Sequence, residues 1–473
     1  VAEKVFSRIE VFEQRLNVGG VWNATPTLRD DKRFAAPSTR PPTVVAGPQL
    51  RKDDGRTQFL SPMYDDLDTN IPHTLMNYSG CPFPPGTPLF PRHESVQAYL
   101  EEYAKDIRYL IHFGRQVIVI QADFVDGQDK WLVKTKGLQS DNVQEQFFDA
   151  VIVANGHYDD PFIPAIPGIK DFNAAYPGVI THSKFYRRPE EYKDKKVLII
   201  GNSASGTDLA NYIAPYARSP LLHSVRSEQW FPLSSDGILT LPSIASFDPF
   251  TRSVTFTNGH TEYDIDSVIF CTGYLYSFPF LQSLDPPLDR THGVQVPHLY
   301  QHLFYKPKPT LSFLCLPYRI VPFPLSEAQA AVVARHLSGR LELPDFNNLS
   351  PNEDEPTMMQ QQLEFAKPNG DLDPSQDDTP RPTNPHILGY PADAEYINSL
   401  HDWALSATPR SGLDNDGIGK LPPYWDEETC WVREMTPRIK AVARALGPED
   451  RKSVRTLGEL GFVWPGPLEG NGE

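Results

Sequence analysis

Three short runs of apolar residues constrain the fold of this chain more than any other feature. They are Ala150-Val151-Ile152-Val153-Ala154, Lys196-Val197-Leu198-Ile199-Ile200 and Ser267-Val268-Ile269-Phe270-Cys271. A strand with one face in water alternates apolar and polar residues, whereas a continuous apolar run suits a strand of a parallel sheet covered on both faces. Each run stops on a turn signal: Asn155-Gly156, the Gly201 loop, and Thr272-Gly273. Helical patterns lie between strands, notably one through Ile213, and this alternation predicts a doubly wound α/β architecture. At 473 residues the chain exceeds what one core usually supports, so two or three domains are expected.

Further elements can be read around these strands. Ile9 to Glu13 is a short strand ending on an acid and followed by the Gly19-Gly20 turn, and the stretch from Asp30 to Gly86 reads as a long irregular loop. A helix is expected over Ser95 to Arg108, with Leu100 and Tyr103 on the apolar side and Glu101, Glu102 and Lys105 on the other. Two β-runs follow, Gln116 to Ile120 and Trp131 to Thr135. From Asp345 to Pro380 nine acids face Lys367 alone, a net of −8 out of −16 for the whole chain. Within it, Ser350-Pro351-Asn352-Glu353 is a capping box that predicts a short surface helix through Met358, Met359, Leu363 and Ala366 to Gly370.

Charge and cysteine content exclude several classes. A net charge of −16 opposes general nucleic-acid binding, which requires a basic surface. Uncharged apolar runs approaching about 18 residues are absent, so no membrane span is expected, and the ending Trp464-Pro465-Gly466-Pro467 argues against an anchor. The four cysteines Cys81, Cys271, Cys315 and Cys430 form no CxxC pair and no zinc knuckle, and no His/Asp/Glu cluster has metal spacing. A reducing, cytoplasmic setting is the expectation.

Gly201-Asn202-Ser203-Ala204-Ser205-Gly206 lies directly between a buried strand and a helix, which is where a dinucleotide loop must lie. A tight turn lets the backbone approach a pyrophosphate, and the free N–H groups of the helix start face the anion. Gly201, Ser203, Ser205 and Gly206 are therefore candidate contacts, although Ser203 replaces the middle glycine of G-x-G-x-x-G. The next strand, Leu221 to Val225, ends at Arg226 rather than an acid, and arginine suits the 2′-phosphate of NADP.

A second site is suggested by Glu13. An acid at a strand end is the ribose-binding position of a Rossmann unit, and its glycine motif should lie about 20 residues upstream. That falls before Val1, while Val1 to Phe6 reads as the end of an amphipathic helix. The chain is thus expected to be short by about one β-turn-α unit, roughly 30 residues. Gly19, Gly20, Val21 and Trp22 are the candidate residues beside Glu13.

At this point the residues match a family. Tyr176-Pro177-Gly178-Val179-Ile180-Thr181-His182-Ser183-Lys184-Phe185-Tyr186 resembles F-x-G-x-x-x-H-x-x-x-(F/Y), the signature of the flavin-containing monooxygenases, with Tyr176 in place of phenylalanine. Leu67-Asp68-Thr69-Asn70-Ile71-Pro72 resembles the family's L-x-T-N-x-P. Phe270-Cys271-Thr272-Gly273-Tyr274 is similar to its T-G-Y linker, and Phe323-Pro324-Leu325-Ser326-Glu327-Ala328-Gln329 to its late P-x-x-E-x-Q element. The match is nearest to the fungal and yeast-like branch.

The resemblance implies two Rossmann-like domains, with an NADP domain at residues 166–267 inserted into an FAD domain at 1–165 and 268–473. It implies NADPH, FAD and O₂ as reactants, with one oxygen passing from a C4a-hydroperoxyflavin to a soft nitrogen or sulfur nucleophile. The chemistry belongs to the cofactor, so the protein's task is positioning and water exclusion. Asn70 is implied as the catalytic residue, and Thr69, Thr272, Gly273 and Gln329 as further cofactor contacts. His182 reads as a structural brace, as do His73, His93 and His157, because transfer from a ready-made peroxide needs no strong base. Two alternatives stay open: a Baeyer–Villiger-type enzyme, whose signature ends in tryptophan where this chain has Tyr186, and an inactive NADPH-binding remnant. Disulfide reductases are disfavoured by the missing CxxC. Substrate and oligomeric state are not legible, and a homodimer is allowed.

Overall fold

The computed structural model describes residues 1–25, 36–50, 57–138, 142–226, 233, 237–289, 292–346, 348 and 384–467. The helix expected after Ser350 lies outside the described residues.

The widest sheet among the described residues has five strands, in the order Ile180–His182, Ser267–Phe270, Val197–Ile200, Leu221–Ser224, Ile238–Leu241. Every neighbouring pair is parallel. Side chains alternate across a strand, and both faces here are apolar. Leu198, Leu222, Val268 and Phe270 point to one face, where Phe172, Phe247 and Phe256 cover them. Val197, Ile199, Leu221 and Ile269 point to the other, against Leu209, Ala210 and Ile213 of the helix Ala204–Ile213. The strand Ser267–Phe270 hydrogen-bonds on both sides within this sheet. By its pairing it goes with residues 166–267, although the expected boundary falls at its start.

The first of the three apolar runs, at residues 150–154, behaves differently. Val151–Val153 pairs in parallel with Leu311–Phe313 in a separate four-stranded sheet. Its Ile152 is 46 % exposed, so this strand is not covered on both faces. Val11–Glu13 pairs in parallel with Ile111–Phe113 in a two-stranded sheet. An antiparallel meander, Arg115–Val125, Gln128–Gly137 and Val143–Phe148, joins these parts. It contains both expected β-runs, longer than the sequence suggested, plus a third strand that sequence reading missed.

The expected helix at 95–108 is two elements, an α-helix His93–Tyr103 and a 3₁₀ segment Lys105–Leu110. Its buried face is led by Val96 and Tyr99, with Leu100 and Tyr103 half-buried, while Glu101, Glu102 and Lys105 are exposed as expected. Val1 to Phe6 contains a turn rather than a helix end. Glu3 there is buried against Arg340, whose Nε and Nη2 donate to its carboxylate at 2.7 and 2.8 Å. That charge pairing, rather than helical periodicity, decides where the segment lies.

Three helices, Pro322–Leu337, Ala392–Leu405 and Glu427–Ala445, build the largest apolar core. Among the described residues no helix is long and apolar enough to cross a membrane.

Candidate active site

The glycine loop leaves the sheet at Ile200, in register with Phe270 on one side and Ser224 on the other. Gly201 has φ 109°, in the left-handed region that favours glycine, and its N–H donates to Ser224 O at 2.9 Å. Nε2 of buried His223 donates to Gly201 O at 2.8 Å, which fixes the turn carbonyl. A Cβ on Gly201 would meet Cys271 O at 2.6 Å, and one on Gly206 would fall 1.8 Å from Gly201 O. Both glycines are therefore imposed by the packing of helix against turn. Ser203, where the motif has its middle glycine, has φ −81° and an extended backbone that serine adopts without strain. Ser203 and Ser205 are exposed, and Ser203 makes no side-chain capping bond. The first-turn N–H groups thus keep the anion-facing capacity of an uncapped helix start. Arg226 is exposed and lies two residues past Ser224, at the same end of the sheet as the loop.

On the other side, Glu13 ends its strand half-buried, and Oε1 accepts the Arg15 N–H at 2.7 Å. Burial pushes its carboxyl above the usual range, opposed by that bond and by the Arg15 charge. Gly19 and Gly20 have φ of 103° and 53°, and Trp22 N–H closes the turn on Gly19 O at 2.9 Å. Val21 O accepts the hydroxyl of buried Ser61. The Trp22 ring meets Phe323 edge-on at 6.5 Å, which ties this turn to the helix carrying the late motif. On that helix Gln329 is fully buried. Its Oε1 accepts Cys315 N–H at 2.8 Å and its Nε2 donates to Tyr396 Oη at 3.3 Å, so its amide serves the core.

Thr272 and Gly273 form a hub at the end of the Ser267–Phe270 strand. The Thr272 hydroxyl donates to Phe162 O, and Gly273 O accepts Phe162 N–H at 2.9 Å. Gly273 O also lies 3.0 Å from Nε2 of His182, while Nδ1 of His182 accepts Lys184 N–H at 3.1 Å. An Nδ1 that accepts leaves the proton on Nε2, so both ring nitrogens are committed. Burial lowers the His182 pKa to about 3. His182 is thus a neutral brace between the signature and the T-G-Y segment.

Thr69 and Asn70 sit where three parts of the chain meet. Thr69 N–H donates to Pro91 O at 3.0 Å and its hydroxyl to Ile71 O at 2.9 Å. Asn70 Oδ1 accepts from Arg444 Nη2 at 3.1 Å. The same Nη2 pairs with Asp208 Oδ1, and Asp208 lies on the glycine-loop helix. Asp208 Oδ2 accepts from Tyr64 Oη at 3.3 Å, and the Tyr64 ring packs edge-on against Tyr186, the last residue of the signature. Lys440, one turn before Arg444, donates from Nζ to Thr69 O at 2.6 Å. Asp208, Tyr64, Lys440, Arg444 and His223 were not legible as site residues. The one signal was a pair of cations at i, i+4 flanked by Ile439 and Ala443, which are buried.

The glycine-loop helix is thus joined to Asn70 through Asp208 and Arg444, while Trp22 and Ile71 pack against one apolar cluster. Comparison with known proteins identifies the family. A family model described as flavin-binding monooxygenase-like matches residues 49–236 and 237–367. The flavin-containing monooxygenase ustF2 of Aspergillus flavus is 32 % identical over 389 residues, 71 % of this chain and 78 % of that protein. The thiol-specific monooxygenase of Saccharomyces cerevisiae is 33 % identical over 355 residues, 70 % of this chain and 73 % of that protein. Among solved structures, S-allyl-L-cysteine S-oxygenase from Allium sativum superposes with a TM-score of 0.67 at 27 % identity, covering 95 % of this chain and 90 % of that one. The chain belongs to the flavin-binding monooxygenase-like family and is a flavin-dependent monooxygenase.

Proposed function

We propose that this protein uses NADPH and FAD to place one oxygen atom from O₂ on a soft nitrogen or sulfur nucleophile, with Asn70 as the catalytic residue. The observation that carries this reading is the route from the glycine-loop helix to Asn70 through two side chains, Asp208 and Arg444. The glycine loop would hold the pyrophosphate of NADPH, the Glu13–Trp22 side would serve the FAD, and Asn70 would be tied to the NADPH-binding helix by this route. Residues 1–165 and 268–473 would then serve the FAD and 166–267 the NADP, with Ser267–Phe270 forming the seam.

The residues present fit both groups. Gly201 and Gly206 allow the tight packing of turn and helix that a pyrophosphate loop requires, and Arg226 supplies a cation for a 2′-phosphate. Glu13 can accept from a ribose hydroxyl, and the Gly19–Trp22 turn flanks it. When bound, the flavin supplies the activation of O₂. The protein supplies orientation and water exclusion. Arginine has no acceptor, so the Asn70 atom facing Arg444 must be Oδ1, and the Nδ2 donor is turned the other way. Among the described residues none accepts from that Nδ2, which leaves it for a cofactor. His182 takes no part in proton transfer on this reading, because both its nitrogens are bonded.

The names of the yeast thiol-specific monooxygenase and the garlic S-oxygenase favour sulfur as the acceptor atom. Tyr186 at the end of the signature supports heteroatom oxygenation over ketone insertion. The test is Asn70→Ala in the flavin-loaded enzyme with a thiol or thioether substrate. NADPH oxidation should continue while oxygenated product falls and hydrogen peroxide rises to match. Unchanged product per NADPH would refute the role of Asn70, and a ketone converted to an ester in preference to sulfur oxidation would refute the acceptor class.

A further inference from the structure

The loop carrying Asn70 is fastened residue by residue from one late segment of the chain. Arg451 Nε forms an ion pair with Asp68 Oδ2 at 2.9 Å, Lys440 Nζ donates to Thr69 O at 2.6 Å, and Arg444 Nη2 donates to Asn70 Oδ1 at 3.1 Å. The last two come from one face of the helix Glu427–Ala445, one turn apart, and Arg451 from the short helix Pro448–Ser453 after it. All this lies beyond residue 367, where the match to the family model ends.

From these contacts, and resting on the reading of Asn70 above, we infer that Arg444 is a positioning residue that holds the Asn70 amide in its working orientation. A free asparagine amide rotates between two nearly isosteric states, with oxygen and nitrogen exchanged. A donor-only guanidinium against it selects the state with Oδ1 inward. Arg444 is itself held. Its side chain is 9 % exposed and its partner Asp208, on the glycine-loop helix, 8 %. Tyr64 donates to the other oxygen of Asp208, so the carboxylate cannot swing away from the guanidinium freely. Lysine at position 444 could keep a charge opposite Asp208. Both bonds leave one nitrogen, Nη2, whose N–H directions are fixed in the guanidinium plane, whereas the ammonium of lysine rotates and sets no fixed angle between the two acceptors.

The test compares Arg444→Met, Arg444→Lys, Asn70→Ala and the double variant Asn70→Ala/Arg444→Met. In the flavin-loaded enzyme, product formed per NADPH should fall about 10–100-fold in Arg444→Met, because loss of orientation removes the donor rather than the cofactor. The double variant should be no worse coupled than Asn70→Ala alone, since Arg444 acts through Asn70. Arg444→Lys should recover the fold and only part of the coupling. Asp208→Asn serves if Arg444→Met does not fold, and should uncouple in the same direction. A second readout needs no cofactor: hydrogen exchange of the backbone over residues 66–76 should speed up in Arg444→Met while the five-stranded sheet keeps its protection. A purely structural Arg444 would lower thermal stability and total rate together with product per NADPH unchanged, and that result overturns the inference. So would additive losses in the double variant. If Asn70→Ala stays fully coupled while Arg444→Met still loosens the 66–76 peptide, the catalytic reading of Asn70 has failed and the fastening of the loop has not.

Discussion

Lys440 gives the sharpest quantitative prediction. Its side chain lies almost wholly out of water, with Nζ donating to Thr69 O and standing 4.4 Å from the centre of the Phe90 ring. Burial pushes its pKa down to about 7, with Asp208 and Asp68 opposing the shift and Arg444 and Arg451 adding to it. Between about 7 and the ordinary value of 10.5 the unfolded chain binds a proton here that the folded chain does not. Stability must therefore rise with pH through that window, and the cost of housing the charge is greatest below it. From pH 6 to pH 9 this one site should add about 3 kcal/mol to the unfolding free energy. Lys440→Met keeps the unbranched shape, removes the titration, and leaves Thr69 O without its donor, a loss of about 1–3 kcal/mol that does not depend on pH. Urea unfolding of both proteins at pH 6 and pH 9 isolates the term, because all other groups cancel in the difference. The variant should be favoured at pH 6 relative to pH 9 by about 3 kcal/mol. An equal variant-minus-parent difference at the two pH values would refute the argument.

Two further outcomes follow from the glycine loop. Gly206→Ala puts a Cβ 1.8 Å from Gly201 O, backbone that cannot swing aside, so unfolding free energy should drop by about 3 kcal/mol and NADPH affinity should fall with it; an unchanged melting temperature would contradict the packing described. Arg226→Glu should raise the KM for NADPH about tenfold or more while leaving NADH little affected, and an unaltered preference would remove Arg226 from the 2′-phosphate site.

What was legible in the sequence was local. The glycine loop could be read because strand, turn and helix follow one another within 17 residues, from Val197 to Ile213, and each leaves its own pattern. Val143–Phe148 was missed because its residues, Val-Gln-Glu-Gln-Phe-Phe, keep two acceptable β faces only when the meander beside it is known. Val151–Val153 has the composition of a covered strand, yet exposes Ile152, since composition cannot report which neighbours a strand obtains. Asn70 could be singled out through its motif. Its partners could not, because Asp208 and Arg444 are 236 residues apart and Lys440 lies 371 residues from Thr69. No periodicity encodes a contact of that span. A buried cation is also counter-signalled by its chemistry, which ordinarily reads as surface.

The helix Glu427–Ala445 can also be regarded as a ruler. Asp426 fixes its zero by capping, accepting the Thr429 N–H at 2.9 Å, and Lys440 and Arg444 mark two points one turn apart further along. An α-helix advances about 100° per residue, so removing a single residue between the cap and Lys440 would rotate both marks off the Thr69–Asn70 loop together. Composition, net charge and helix content would hardly change. The phase of the helix, rather than the identity of any one residue in its middle, is thus the quantity that this late segment contributes to the placing of the Thr69–Asn70 loop.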